Sequence, residues 1–472
     1  MSSLFPETLE EALPDLKRVN EEKARLESAG VKYILSCWID LLGIPKTKPV
    51  PMSDFELLCA GKGPQFAVHS VSFVPELGPH DPDQVPVLDL NTLQICPWDS
   101  SCAWVISDLF WKEKPYNLCP RNTLKQAISR AADQGLAMYA GIEPEFITMK
   151  WDENGLPVKA FDNDPPQGLR PRRQAFGYDL EYSIDAMGFL GELIDIIEGL
   201  GWNLHDVVAE GAYSQFELDF HYTDVLAMAD RFIFLRAILK EIAKKHGMFV
   251  TFMPKPTTGD WRSGAHLNTS MQRTDALGTN LYEKPGGGWS DEALHAVGGI
   301  LQNGQAITAI ACSTVNSYNG LVSQVSGFEG GCYTWAPTHM AYGSNNRSAM
   351  LRLPQSRYAI ENRAADMCMN VYIAFAMTLA ASVQGIVNKV DPGPSLDEDL
   401  YIMSDEEKNK RKLNALPLNL YEAITALGKS ELAKEVMGPV MLNSYVQYKL
   451  DEWNRYHQTV TDWEVQEYLR LY

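Results

Sequence analysis

Gly141-Ile142-Glu143-Pro144-Glu145-Phe146 is the stretch on which the reading of this chain turns. Residues two apart on an extended chain face the same way, so Glu143 and Glu145 project from one face of a strand. Like charges at that spacing repel unless a cation lies between them. A solvated surface pair would have polar neighbours, whereas this pair is flanked by Ile142, Phe146 and Ile147. Pro144 cannot donate to a ladder, which places it on an edge strand or at an interruption beside a site. The pattern predicts a strand over 140–148.

Four more metal-loving side chains follow. Glu210 and Glu217 bound the segment Glu-Gly-Ala-Tyr-Ser-Gln-Phe-Glu, His266 ends Ser-Gly-Ala-His, and Glu361 opens Glu-Asn-Arg. Alone, Glu361 reads equally as half of a salt bridge, and His266 as a satisfied core histidine. Together, five carboxylates and one imidazole suit hard divalent cations such as Mg²⁺ or Mn²⁺ better than zinc or iron. Asp219 shares a strand face with Glu217 but has no place in this set and reads as structural. Arg347, Arg352 and Arg363 are interleaved with the acids, and their planar forks suit phosphate and carboxylate. Acids to hold metal, with arginines to hold what the metal holds, indicate nucleotide chemistry. No Gly-x-x-x-x-Gly-Lys-Ser/Thr loop is present, so metals and arginines would hold the nucleotide.

These segments occur in a recognisable order with Gln215 beside Glu217, Thr-Phe-Met-Pro-Lys-Pro at 251–256, Asn-Ser-Tyr at 316–318 and Asn-Asn-Arg-Ser at 345–348. In that order the chain resembles the glutamine synthetase superfamily over nearly its whole length. The resemblance implies an α+β fold: a small β-grasp-like N-terminal domain at 1–115 and a large catalytic domain at 116–472, with a curved antiparallel sheet flanked by helices. It implies Glu145, Glu210 and Glu217 on one cation and Glu143, His266 and Glu361 on another, with on the order of two or three Mg²⁺ or Mn²⁺ ions per site. ATP would be co-substrate, bound by Asn268, Ser270, Arg347, Arg352 and Arg357. Glutamate would be held by Glu145, Gly264 and Arg363. Arg347 would stabilise the passing phosphoryl group. Glu329 resembles the flap acid that deprotonates the bound amine. The implied reaction phosphorylates glutamate's γ-carboxylate, after which an amine displaces phosphate. The implied assembly is a homo-oligomeric ring, a dodecamer being the expected form, in which residues 60–75 complete a neighbour's active site. Tyr401 resembles a tyrosine modified in some members, but a plain surface tyrosine is the expectation.

Three departures from the family's pattern bear on substrate. Ammonia-using members carry Phe-Asp-Gly-Ser-Ser where this chain has Phe66-Ala67-Val68-His69-Ser70. Losing that carboxylate weakens any hold on NH₄⁺ and makes Phe66, Ala67 and Val68 an apolar amine pocket. Asn319-Gly320 stands where the family has Lys-Arg, so the arginine that grips glutamate's α-carboxylate is missing there. Arg262, Arg363 or a neighbouring strand takes its place, or the acid is not quite glutamate. The segment 321–345 is longer than usual and aromatic-rich. These features resemble the branch that makes γ-glutamyl amides from organic amines, alkyl (methylamine) or aryl (aniline). An ammonia-using glutamine synthetase is the alternative within the family. Outside it stand a non-catalytic sensor or structural relative and a guanidino kinase.

Composition narrows the partners. At 472 residues the chain forms more than one unit, and 45% hydrophobic with 21% charged residues is ordinary for a soluble globular protein. A net charge of −19 argues against nucleic acid and anionic membrane surfaces. Eight scattered cysteines without Cys-x-x-Cys pairs fit a reducing cytosol. The acidic N-terminus lacks an export signal's apolar run, so a cytoplasmic protein is expected. The apolar run 371–387 is interrupted by Thr378, Ser382, Gln384 and Gly385 and reads as a buried helix. Periodicity further predicts helix over 8–29, strands at 33–39, 85–88, 93–95 and 103–108, and a helix capped near Asn122/Thr123. Helices are predicted over 183–200, 224–246, 291–311 and 364–388. Residues 249–253 and 266–271 read as paired strands, 286–288 as a surface loop, and 397–412 as a solvated loop and helix.

Overall fold

The strand expected over 140–148 runs further, across Leu136–Trp151, and is the central member of the larger of two sheets. The computed structural model describes residues 5–72, 74, 77–161, 177–212, 214–324 and 333–472. Helices α1 (Leu9–Ala12) and α2 (Leu16–Ser28) open the chain. Pro14 lies between them, and the Asp15 side chain caps α2 by accepting from the Lys17 and Arg18 amides, so the helical texture of 8–29 is two pieces. Strands β1 (Tyr33–Ile39) and β2 (Pro45–Pro51), helix α3 (Phe55–Cys59), and strands β3 (Val85–Leu88), β4 (Gln94–Ile95), β5 (Cys102–Trp111) and β6 (Lys114–Pro115) form the smaller sheet and its cover. Its path is β2-β1-β5-β3, with β4 and β6 also on β5; β1 and β5 run parallel. Alternation along β5 buries both faces. Ala103 and Val105 pack with Leu26 and Phe55 under α2 and α3, while Trp104 and Ile106 join the main core.

Helix α4 (Pro120–Asp133) leads into the large sheet. It starts at Pro120 and not at Asn122/Thr123, because proline's fixed φ and missing N–H suit a first helical turn. The elements that follow are β7 (Leu136–Trp151), β8 (Pro157–Lys159), α5 (Leu180–Gly199), β9 (Leu204–Ala209), β10 (Gln215–Phe220), β11 (Thr223–Asp224), α6 (Val225–Lys245), β12 (Phe249–Thr251) and β13 (Ala265–Arg273). Then come α7 (Asp291–Gln302), α8 (Gly304–Ala311), α9 (Val315–Tyr318), β14 (His339–Ser344), β15 (Ala349–Leu353), β16 (Ile360–Asn362) and α10 (Val371–Asn388). Helices α11 (Asp405–Lys410), α12 (Leu420–Gly428), α13 (Glu431–His457) and α14 (Asp462–Tyr468) end the chain.

The large sheet runs β14-β15-β16-β13-β7-β10-β9, with β8, β11 and β12 also on β7. Strands β12 and β13 both pair with β7 and not with each other, which corrects the expected pairing. Pro144 is not on an edge strand: it sits mid-β7 opposite Ala265. The β10 ladder, however, stops at Glu145, so the missing proline N–H falls where β10 leaves β7. The predicted helix over 291–311 breaks at Asn303 (φ −107°, ψ 11°) into α7 and α8. The helix predicted from 364 begins only at Val371, where the Asn370 side chain accepts from the Ile373 amide. Helix α10 has the length and apolarity of a membrane span, yet Tyr372, Phe375, Met377 and their neighbours are buried in the core. The glycines at 286–288, all at positive φ, form a turn after β13.

Candidate active site

Strand register gathers the expected residues on one face of the large sheet. Glu143 lies opposite His266, Glu145 opposite Glu217, and Glu361 opposite both Asn268 and Arg352. Cross-strand neighbours on one face touch, so five segments distant in sequence converge. A cavity of about 600 Å³ is lined by Glu143, Glu145, Glu210, Glu217, His266 and Gly264 together with Arg347, Arg352, Arg357 and Arg363.

The acids are packed tightly. Glu143, Glu217 and His266 each offer a ligand atom within 4.8 Å of the other two, a group that straddles the two cation sets expected from the sequence. His266 Nδ1 lies 3.1 Å from Glu143 Oε2 and 4.0 Å from Glu361 Oε1, and its Nε2 is 3.8 Å from Glu145 Oε1. Gln215, buried two residues before Glu217, donates to Glu145 Oε2 at 2.8 Å. Gly264 leaves the room this needs, since a Cβ there would lie 2.9 Å from both Glu145 Oε1 and His266 Nε2.

Charge is unbalanced on this wall. Burial, then the neighbouring Glu210, pushes the Glu145 carboxyl up to about 8. Burial also raises Glu210, and burial with the surrounding acids raises Glu217 far above its usual range. Burial and the charge of Arg363 hold His266 toward its neutral form. Clustered carboxylates beside a neutral imidazole are the donor chemistry of a hard divalent cation. The residues present fit such an ion.

Asp219 is not merely structural as its pattern suggests: it borders the cavity beside Asp206, a residue the pattern does not single out. Its Oδ1 has no hydrogen-bond partner among the described residues, and burial with Glu143 and Asp206 lifts its carboxyl to about 8. The two aspartates face each other across β9 and β10, so the alternation that exposed Glu217 was the available clue.

Glu361 lives differently. It is completely buried, yet Arg363, His266 and Arg352 outweigh that burial and hold its carboxyl at about 2. Arg363 Nη1 and Arg352 Nη1 donate to it at 2.5 and 2.6 Å. Arg357 Nη2 reaches Glu143 Oε1 at 2.7 Å, Asn268 Oδ1 at 2.8 Å and Glu361 Oε2 at 3.4 Å. Asn268 itself donates to Glu143 Oε1 at 3.0 Å. Arg352 is further fixed by Asn345 Oδ1, at 3.0 and 2.6 Å from its Nε and Nη2. Arg347 lies 6.0 Å over the Trp335 ring. Trp335 holds a left-handed backbone (φ +57°), unusual for a bulky residue, and its carbonyl accepts from Arg363 at 3.0 Å.

Other expected residues lie elsewhere. Ser270 sits further along β13, opposite Tyr139. Phe66 and Val68 are buried, with Phe66 stacked on Trp38 at 3.7 Å, and Ala67 is exposed; within one chain none of the three borders the acid cavity. Glu329 lies outside the described residues. Tyr401 is not the plain surface tyrosine expected: its hydroxyl donates to the Ala336 carbonyl at 2.6 Å, and burial pushes it up to about 12.

Sheet, acids and arginines together fit a nucleotide-dependent ligase of a metal-using family, and similarity to known proteins agrees. Residues 117–468 match the sequence profile described as glutamine synthetase, catalytic domain. A glutamate–methylamine ligase of Methyloversatilis universalis is 33% identical over 459 residues, covering 96% of this chain and 99% of that one. A glutamine synthetase of Rhizobium meliloti is 32% identical over 444 residues, covering 93% and 96%. A solved GmaS–ADP complex superposes with a TM-score of 0.82 at 29% identity, over 95% of this chain and 99% of that one. The chain belongs to the glutamine synthetase family. It is an ATP-dependent, amide-forming ligase of a family that uses ATP and divalent metal ions.

Proposed function

We propose that this enzyme joins the γ-carboxylate of L-glutamate to an organic amine, an alkylamine such as methylamine or an arylamine such as aniline. The observation that carries amine over ammonia is the apolar segment Phe66-Ala67-Val68, with no carboxylate to hold NH₄⁺. The similarity to a glutamate–methylamine ligase along 99% of its length supports the same reading. Residues 1–115 and 116–472 are its two units, the assembly is a homo-oligomeric ring, and the compartment is the cytoplasm. Segment 60–75 serves the cavity of a neighbouring subunit, which accounts for its distance from the acid wall of its own chain.

Glu145, Glu210 and Glu217 would hold one Mg²⁺ or Mn²⁺, and Glu143, His266 and Glu361 another. Bound there, the cations neutralise phosphate charge. Asn268, Ser270, Arg352 and Arg357 position the nucleotide. Arg363 and Gly264 hold glutamate, and Gln215 keeps Glu145 turned toward it. The terminal phosphoryl group of ATP passes to a γ-carboxylate oxygen with Arg347 against its equatorial oxygens, and ADP leaves. The amine nitrogen then attacks the acyl carbon, phosphate departs, and Glu329 takes the amine's proton.

Phosphate release with ATP, Mg²⁺ and L-glutamate, measured against ammonia, methylamine, isopropylamine and aniline, tests this. An organic amine should win in kcat/KM. Ammonia winning clearly would make the protein an ordinary glutamine synthetase. An active monomer in size-exclusion with light scattering would refute the shared site.

A further inference from the structure

We infer that Arg262 grips the α-carboxylate of glutamate, the carboxylate that is not phosphorylated; this rests on the ligase reading above. Arg262 lies in the irregular segment just before β13, borders the acid cavity and is only 7% exposed. Its Nη2 donates to the Ala365 carbonyl at 2.7 Å, but its Nε and Nη1 are buried with no hydrogen-bond partner among the described residues. The carboxylate oxygen recorded nearest, Asp366 Oδ2, is 3.8 Å from Nη2, too far for a hydrogen bond, and lacks a partner itself. Burying two donors of a cation without acceptors is costly, and structures rarely tolerate it without a purpose.

The other arginines of the cavity are differently placed. Arg352 and Arg363 donate to Glu361, Arg357 bridges Glu143 and Asn268, and Arg347 lies over Trp335. Arg262 alone among these five combines a buried guanidinium with the lack of a carboxylate in hydrogen-bond reach, and its fork matches one. Its placement is fixed from two sides. Its carbonyl accepts from Gln215 Nε2 at 3.0 Å, and the same amide group holds Glu145. Its aliphatic stem fills the space beside Gly320, where a Cβ would lie 2.5 Å from Arg262 Cβ and 2.8 Å from its Cδ. An arginine at 262 and a side chain at 320 therefore exclude each other. With acids on one wall to attract an ammonium group and this fork beside them, the cavity is polarised for a zwitterion.

The test compares L-glutamate with 4-aminobutyrate, which is glutamate without the α-carboxylate, in the full-length enzyme with ATP, Mg²⁺ and methylamine. Arg262→Ala should raise the KM for L-glutamate by about 10- to 100-fold, the range for a hydrogen bond to a charged group. It should leave kcat/KM for 4-aminobutyrate unchanged, so discrimination between the two acids falls by that factor. Arg262→Lys should recover part of it. Gly320→Ala, which removes no charge but displaces the arginine stem, should act in the same direction and guards against an Arg262→Ala variant that does not fold. Equal losses on both acids would reduce Arg262 to a structural role, and an unchanged KM for L-glutamate would also overturn the inference. If no amine supports phosphate release, the ligase reading fails separately. Calorimetric binding of L-glutamate then decides, because Arg262→Ala must weaken it by the same factor, and a wild type that binds no glutamate sinks the inference too.

Discussion

Around Arg121 three aspartates and a tyrosine gather near one guanidinium; around His266, Glu143, Glu145 and Glu217 crowd one imidazole. The first cluster is saturated. Arg121 donates to both Asp230 oxygens at 2.9 and 2.8 Å, to Asp108 at 2.5 Å and to Asp89 at 2.7 Å, while Lys125 also reaches Asp108 and Tyr372 donates to Asp230 at 2.6 Å. It ties β5 of the small sheet to α4, α6 and α10 around the large one. The second crowds three carboxylates onto one imidazole, and burial drives the Glu145 and Glu217 carboxyls toward protonation. A buried cluster in which every carboxylate has a cationic donor within the chain holds architecture together, whereas one that crowds carboxylates without enough donors is built around something that arrives later.

The comparison can be broken most sharply at the acid wall. Glu143→Ala or Glu217→Ala should each lower turnover by on the order of 10³-fold, the scale of losing a group that stabilises transferring charge. Without metal, the thermal midpoint of Glu217→Ala should hold or rise, because that change removes like-charge repulsion from Glu145, Glu143 and Glu210. A large drop in midpoint would make the wall structural after all. Arg121→Leu should do the reverse. Leaving three aspartates around a hole costs about 3–5 kcal/mol, read by urea unfolding, while protein that remains folded keeps its KM for ATP. Adding Mg²⁺ or Mn²⁺ at about a hundred times its Kd should stabilise the wild type by about 2.7 kcal/mol. Arg121→Leu should keep that increment and Glu217→Ala should lose most of it; equal gains in both would detach metal binding from the acid wall. The smallest effect is expected of Tyr372→Phe, about 1 kcal/mol in the same unfolding assay, since it removes one hydrogen bond and leaves Arg121 in place.

Much of this was legible in the sequence, for definite reasons. Glu143 and Glu145 announce a strand face by spacing, and their apolar flanks announce that the face is not solvated. The order of the acid and arginine segments was enough to place the family. Periodicity says which face a residue takes but not who lies opposite. Register alone set Glu361 beside Arg352 and Asn268, and gave Asp219 its neighbour Asp206. Helix starts slipped at Pro120, where a proline in the first turn decides, and at Val371, where the Asn370 cap does. Phe66 and Val68 are buried within their own unit, and alternation alone does not say which cavity an exposed Ala67 between them would serve.

Strand β7 has a consequence for how this enzyme comes apart. It pairs with β13 and β12 and also with β10, β11 and β8, so most of its length is engaged by neighbouring strands. Amide deuterium should enter its middle only when the whole sheet opens, and the strands bearing Glu217, His266 and Glu361 belong to the same cooperative unit. A form in which the middle of β7 exchanges should therefore have lost the acid wall, and with it any affinity for a divalent cation there.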